Sequence, residues 1–462
     1  MAGRSSTITV RAIRASLAAL AVASALTEAC RPGEKDRIAL VGGTVIDGTG
    51  NPPMADAVIV VRKGRIESIV AHQGFKLPKA ATEVDVSGRW IIPGLIDAHA
   101  HTTRWALARY LAYGVTTLRD VHGQHDSILA LRDEANLQAI LAPRIFIAGA
   151  MIDGAPATYP DAEVVHDERE ARRAVDQRAV DGIDFIKTYT RVTPPLLKAI
   201  LSEAESFHLR VTAHLGLTDA LTAQKLGIGS IEHLSGVPEA AVADPAKFFA
   251  AHRAGFFTGW NFFERSWAGL DSAALSRVAA TLAEARVILV PTLVLHETLA
   301  RLDDPALLNS PDLKAVPDSE LVRWNVPDLK ARAGWTDADY AAFRKSRPMQ
   351  DLFLREFQAA GGMIVTGTDA ANQMLVPGAS EHTELELLVN AGLTPSDALV
   401  AATRNAAMLL GADSLGTIAP GNAADLVILT ADPLANIGNS RSVERVMVRG
   451  ELLPADSLRA NW

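Results

Sequence analysis

Six residues of this 462-residue chain have types and spacings suited to holding metal ions. Ile96-Asp97-Ala98-His99-Ala100-His101 closes an apolar run with two imidazoles at i and i+2, which on a strand face the same way. Thr212-Ala213-His214 and Ile231-Glu232-His233 each end an apolar run with histidine, a common metal ligand. Val365-Thr366-Gly367-Thr368-Asp369 ends another with a carboxylate. Singly, each is more often structural. Together and in this order, four imidazoles and one carboxylate make a zinc-type ligand set. The sixth residue, Lys187, ends Ile183-Asp184-Phe185-Ile186-Lys187. A free lysine is cationic near neutral pH and cannot coordinate a metal. Carboxylation by CO2 would give a carbamate whose oxygens can bridge two cations. The alternatives are a lysine that binds a substrate carboxylate or pairs with Asp184.

These residues chelate only if the elements carrying them converge. Residues 93–415 alternate apolar strands with helical stretches, which argues for a parallel α/β architecture. Candidate strands end near His101, Asp120, Gly149, Lys187, His214, His233, Trp260, Thr292 and Asp369. Dropping the one at Trp260 leaves eight, the number of a (β/α)8 TIM barrel, whose strand ends meet at one mouth. Helices are expected over Pro194 to Phe207 and Glu381 to Ala391, the latter with Leu385, Leu388 and Val389 on one face. Residues 297–350 form a long polar insertion with Trp324 and Trp335, read either as a lid or as surface helices without a catalytic role. Both chain ends show hairpin grammar, apolar runs broken by glycine, over 37–92 and 416–455. The expected architecture is thus α/β: a TIM barrel with a small β-sandwich domain formed from the N- and C-terminal segments.

Residues 1–30 read as a signal peptide: Arg4, Arg11 and Arg14, then an apolar run from Ala15 to Leu26 too short to span a membrane. The single cysteine, Cys30, precludes an intramolecular disulfide and stands where a lipoprotein would carry its lipid anchor. The alternative is a soluble export signal. Either way the mature chain is expected outside the cytoplasm, in the periplasm or at the cell surface. With 48% hydrophobic and 21% charged residues the chain can bury a sizeable core. A net charge of -8 offers no basic footprint for nucleic acid.

The motifs resemble the amidohydrolase superfamily, in the branch of imidazolonepropionase-like proteins and metal-dependent Xaa-Pro or Xaa-Arg dipeptidases. The resemblance covers nearly all of the chain beyond the signal peptide. Its most specific motif is Pro93-Gly94-Leu95-Ile96-Asp97-Ala98-His99-Ala100-His101. Val41 to Gly48, Asp184 to Lys187, Gly367-Thr368-Asp369, Ala391 to Pro395, Ala401-Ala402-Thr403 and Gly421 to Leu426 also match. The resemblance implies two divalent ions, of which zinc is expected. His99, His101 and Asp369 would hold one, His214 and His233 the other, with carboxylated Lys187 between them. A hydroxide shared by the metals would attack an amide carbonyl, and Asp369 would serve as general acid/base. The chain departs from the dipeptidases at Leu215-Gly216, where they carry an aromatic residue, which weakens a Xaa-Pro assignment but not hydrolysis.

The expected substrate is a dipeptide or N-acyl amino acid. The alternatives are a cyclic amide, aryl amide, carbamate or ester, and a homologue that has lost catalysis. His122, Tyr189 and Arg191 are candidate substrate contacts, Arg191 as a fork for a carboxylate. His125 and His382 are weaker candidates, each matched by a structural or surface role. A homo-oligomer is compatible with the sequence.

Overall fold

The computed structural model describes residues 37–460 and residue 462; the expected signal peptide and Cys30 lie outside the described residues.

Strands from both chain ends are hydrogen-bonded into one eight-stranded sheet. Arg37–Val45 pairs antiparallel with Met54–Arg62, which pairs with Arg65–Ala71. On its other side Arg37–Val45 pairs with Thr82–Asp85 and, further along, with Trp90–Pro93. Leu426–Leu429 joins Trp90–Pro93 and carries Val443–Val448 and Glu451–Pro454 at the edge. The two chain ends therefore share one continuous mixed sheet. The reason is Trp90–Pro93, which bonds to an N-terminal strand on one side and a C-terminal strand on the other, so the two ends share a ladder. Leu40, Ile59, Ile91, Leu426, Ile428 and Met447 pack together in its core.

That sheet runs directly into the α/β body. Gly94 donates from its backbone N–H to the Asp425 carbonyl at 2.8 Å, and the next residue opens the strand Leu95–Ala100. Leu95–Ala100, Val115–Asp120 and Arg144–Ile147 form a parallel three-stranded sheet. A six-stranded parallel sheet contains Phe185–Thr188, Arg210–Ala213, Ser230–Glu232 and Ile288–Val290, with the short strands Ile152–Gly154 and Glu163–Val165 at its start. Residues 364–370 connect the two sheets through isolated parallel bridges, Leu289 with Ile364 and Ala100 with Ala370, rather than a full ladder. On the other side the Asp184 backbone N–H donates to the Ile147 carbonyl at 2.9 Å. This is a TIM-barrel-like α/β fold.

Helices cover the strands because their apolar residues recur on one face. Pro194–Ser206 starts with proline, whose missing N–H costs nothing at a first turn, and buries Leu196, Leu197, Ala199, Ile200 and Ala204. Ala379–Ala391 buries Leu385 and Leu388. Among the described residues no helix is long and apolar enough to cross a membrane. The 297–350 segment is helical: Pro305–Leu308, Asp318–Trp324, Val326–Ala333 and the start of Asp337–Ala359. Its Trp324, Leu329, Trp335, Tyr340 and Phe343 form a second core with Trp260, Leu299 and Leu375.

Candidate metal and substrate site

The strand ends bring five of the six candidate ligands to the lining of one cavity by direct succession of strands, and Asp369 arrives on the bridging segment. His99, His101, Lys187, His214, His233 and Asp369 all line this cavity of about 300 Å³. Ligand atoms of His99, His233 and Asp369 lie within 4.8 Å of one another. The His99 ring centroid is 4.4 Å from that of His233, and His214 is 4.6 Å from His233. Gly367 explains the Gly-Thr-Asp motif: a Cβ there would come 2.6 Å from the His99 Cβ. Only glycine lets the Asp369 segment approach the His99 strand this closely.

Each imidazole is oriented from behind. His101 Nδ1 donates to the His122 carbonyl at 2.9 Å, which turns Nε2 toward Asp369, also at 2.9 Å. His99 Nδ1 lies 2.6 Å from Glu232 Oε2, and its Nε2 is 3.1 Å from Asp369 Oδ1. His233 Nδ1 lies 2.6 Å from the Thr292 hydroxyl. Such supporting partners fix the tautomer and ring orientation that a metal requires. Glu232 is fully buried, accepts from Arg119 at 3.1 Å, and is also bonded by the Thr212 hydroxyl.

Electrostatics follow from burial and these pairings. Burial favours a neutral His101, but the hydrogen bond and charge of Asp369 prevail and hold it up at about 9. Burial would raise Asp369, yet His101 and His99 keep it well below the usual carboxylate range. Burial, aided by the Lys187 charge, holds His214 well below its ordinary value; burial, aided by the His99 charge, does the same for His233. Burial also brings Lys187 down to about 8, partly countered by Glu232.

The donor set fits divalent metal. Buried polar atoms are ordinarily hydrogen-bonded, but the Lys187 amine and His214 Nδ1 are buried with no hydrogen-bond partner. Lys187 is not paired with Asp184, which instead accepts from the Ile147 N–H at 2.8 Å. Imidazole and carboxylate are the ligands that zinc and similar ions prefer.

The remaining candidates divide. His122 and Tyr189 line the cavity. Asp161 lies 3.1 Å from His122 Nε2, and burial brings this imidazole down to about 4. Arg191 does not line it: its guanidinium donates to the Arg253 carbonyl at 3.2 Å, because the Asp153 carboxylate holds the Arg191 N–H at 2.8 Å and turns the loop outward. His125 pairs with Asp181, and His382 lies between Ser440 and the Tyr113 carbonyl, both away from the cavity.

Other lining residues were not singled out by the sequence reading. Tyr159, Phe256, Phe257 and Trp260 form an aromatic wall with Tyr189, and Leu299, Leu329 and Arg332 come from the insertion or its border. Trp260 lies edge-on to both His214 and His233. The apolar run through Trp260 is the helix Phe256–Ser266 and not a strand. Phe256, Trp260 and Phe263 at i, i+4 and i+7 carried that signal.

The profile described as "Amidohydrolase family" matches residues 90–453. The chain belongs to the amidohydrolase family, hydrolases acting on carbon–nitrogen bonds. It is 26% identical over 417 residues to an imidazolonepropionase of Cereibacter sphaeroides, covering 85% of this chain and 93% of the relative. An uncharacterized protein of Mycobacterium tuberculosis is 26% identical over 408 residues, 81% of this chain and 88% of that one. Among solved structures, Bottromycin amidohydrolase superposes with a TM-score of 0.71 at 24% identity, covering 94% of this chain and 90% of the other. A Xaa-Pro dipeptidase with bound methionine in its active site gives 0.67 at 21%, covering 90% and 100%. At these identities the structural likeness bears on the fold.

Proposed function

We propose that this chain is an exported binuclear hydrolase that cleaves the amide bond of a dipeptide or N-acyl amino acid. The observation that carries the reading is the convergence of His99, His233 and Asp369 within 4.8 Å in a cavity also lined by His101, His214 and Lys187. His99, His101 and Asp369 would hold one divalent ion, and His214 and His233 a second. Lys187, as the carbamate, would lie between them; its unpartnered buried amine is suited to accept CO2. When bound, the ions, with zinc expected, supply an activated water and Lewis acidity toward the scissile carbonyl.

The chain's own residues then do the following. Asp369 takes the proton of the attacking water on a carboxylate oxygen and returns it to the departing amine nitrogen. The Asp369 carboxylate is placed for this at the cavity wall, with Oδ1 3.1 Å from His99 Nε2 and 2.9 Å from His101 Nε2. Glu232, Thr292 and the His122 carbonyl hold the imidazoles in register. The aromatic wall of Tyr159, Tyr189, Phe256, Phe257 and Trp260 excludes water and binds the apolar part of the substrate.

The test is amine release from a panel of dipeptides and N-acyl amino acids by the zinc-loaded enzyme, with Asp369→Asn as control. Asn keeps the shape but not the base, so turnover should fall about 10²-fold or more with metal content largely retained. Near-normal turnover in that variant rules out the role. Inactivity toward the whole panel with metal bound moves the assignment to a cyclic amide, aryl amide, carbamate or ester; the imidazolonepropionase relatives favour the cyclic amide among these. Export, with or without a lipid at Cys30, rests on the N-terminal sequence alone, and mass spectrometry of the mature N-terminus tests it.

A further inference from the structure

The cavity has two chemically distinct parts: the metal-ligand cluster and aromatic wall, and a short stretch contributed by the insertion. The helix Val326–Ala333 presents Leu329 and Arg332 to the cavity, three residues apart and therefore on one face. Arg332 is the sole arginine of the lining. Its Nε donates to Asp328 Oδ2 at 2.7 Å, one turn back on the same helix. Among the described residues no protein partner bonds its two terminal nitrogens. The guanidinium carbon lies 5.7 Å from the centroid of the Phe257 ring, whose side chain is part of the aromatic wall. Asp328 thus pairs with the half-exposed guanidinium from one side, Phe257 packs beside it, and the terminal pair of N–H groups is left without a protein partner. A planar fork of this kind matches a carboxylate.

The other cations of the lining are already engaged. Lys187 sits among the candidate metal ligands and His101 faces Asp369. A substrate carboxylate entering this cavity has Arg332 as its free cationic partner. The aromatic wall beside it offers burial to a large apolar or aromatic group but not to a short polar one.

We infer that Arg332 binds the free carboxylate of the substrate, so that the enzyme takes amides bearing both a carboxylate and a bulky apolar group, an N-aroyl or aromatic amino acid conjugate. This rests on the amide-hydrolase reading of the same site and adds the substrate class. The insertion then supplies the carboxylate contact, and the aromatic wall of the body the apolar one. Arg332 is a specificity residue and touches no reacting atom.

The test compares N-benzoyl-L-phenylalanine with its carboxamide, following benzoate release by zinc-loaded wild type, Arg332→Gln and Arg332→Lys. The ratio of kcat/KM for acid over carboxamide should fall at least tenfold in Arg332→Gln, chiefly through KM for the acid, and recover in part in Arg332→Lys. A purely structural role would lower both substrates together and leave the ratio unchanged, which would overturn the assignment. Calorimetric binding of the same two compounds to zinc-loaded Asp369→Asn, with and without Arg332→Gln, separates this inference from the function on which it rests. If no amide is turned over but the acid still binds more tightly than the carboxamide through Arg332, the hydrolase reading fails and the carboxylate site stands. If both bind equally in the presence of Arg332, the carboxylate site fails.

Discussion

Replacing Glu232 by alanine tests whether the orientation of the imidazoles is built from behind the cavity. The carboxylate is fully buried and carries three tasks: it faces His99 Nδ1 at 2.6 Å, accepts from Arg119 at 3.1 Å and is bonded by the Thr212 hydroxyl. Burial alone would raise it, yet Arg119, His99 and Lys187 hold it far below the usual carboxylate range. Alanine leaves the Arg119 guanidinium, 2% exposed, without its carboxylate. An uncompensated buried charge of this kind costs about 3–5 kcal/mol. With an unfolding entropy of roughly 0.9 kcal/mol/K for a chain of this length, Tm should fall by roughly 3–6 °C. His99 loses the acceptor that fixes its tautomer, and removing such a partner lowers metal affinity about 10–100-fold. The assay is zinc content and competitive chelator titration on the purified protein, beside a thermal melt. Glu232→Gln separates the two effects: it keeps an acceptor for one neighbour but removes the charge both require, so affinity and Tm should fall less than with alanine. Wild-type metal affinity in Glu232→Ala would refute the orienting role, even if Tm drops.

Two further predictions concern groups outside the ligand set. Burial pushes Glu384 up to about 8, with one oxygen accepting from the Val294 N–H at 2.7 Å and the other unpartnered. This folded value lies above the unfolded one of ~4.3, so the group's contribution is fully present below ~4.3 and is lost as pH rises through 8. Glu384→Gln cannot titrate, so its Tm should gain on wild type between pH 5 and pH 8; a pH-independent gap contradicts this. Asp339 anchors the insertion, accepting from Asn261 at 2.8 Å, Arg265 at 2.7 Å and the Thr336 N–H and hydroxyl at 2.8 Å. Against the effect of burial, the hydrogen bonds from Asn261, Thr336 and Arg265 hold it well below the ordinary carboxylate range, so its contribution is present above ~4 and lost as pH falls. Asp339→Ala should cost about 2–4 kcal/mol and expose residues 297–350 to the first cuts in limited proteolysis. Unchanged cleavage sites would show that other contacts hold the insertion.

The candidate ligands were legible because each ends an apolar strand, and parallel strands in succession must present their ends on one side. Glu232 was visible as a neighbour of His233, but its task was not, since alternation sends it behind the cavity to His99, 133 residues away in sequence. The aromatic wall was hidden for a different reason. Phe256 to Trp260 lies in an apolar run whose helical spacing, Phe256, Trp260 and Phe263, marks a helix but not that the helix faces a cavity. Arg191 looked well placed because it follows Lys187 closely, but two bonds to the Asp153 carboxylate, from the Gly154 and Arg191 N–H groups, turn that loop. Arg332 lies 145 positions from Lys187 in an amphipathic surface-type helix, and nothing local marks it as facing a cavity. The terminal sheet was legible as β structure, but whether its two halves stack or share a ladder depends on the double pairing of Trp90–Pro93, which no local pattern encodes.

Backbone conformation at the ligand-bearing ends bears on why these side chains are where they are. His233, Thr292 and Asp369 all adopt left-handed backbone, with φ of 59°, 47° and 63°. Each such residue other than glycine costs roughly 1–2 kcal/mol, and a β-branched threonine is the least tolerant. Glycine would relieve the cost at all three positions, but it would remove two candidate ligands and the hydroxyl 2.6 Å from His233 Nδ1. The surrounding body offsets the cost: Leu289 and Val290 are buried in adjoining cores, His233 N–H bonds to the Val290 carbonyl at 2.9 Å, and Asp369 N–H bonds to the His99 carbonyl at 2.7 Å. The turns therefore aim side chains into the cavity at the expense of local backbone stability. Glycine would be the less strained residue at these positions, and the retained His233, Thr292 and Asp369 are the side chains that the proposed metal site would use.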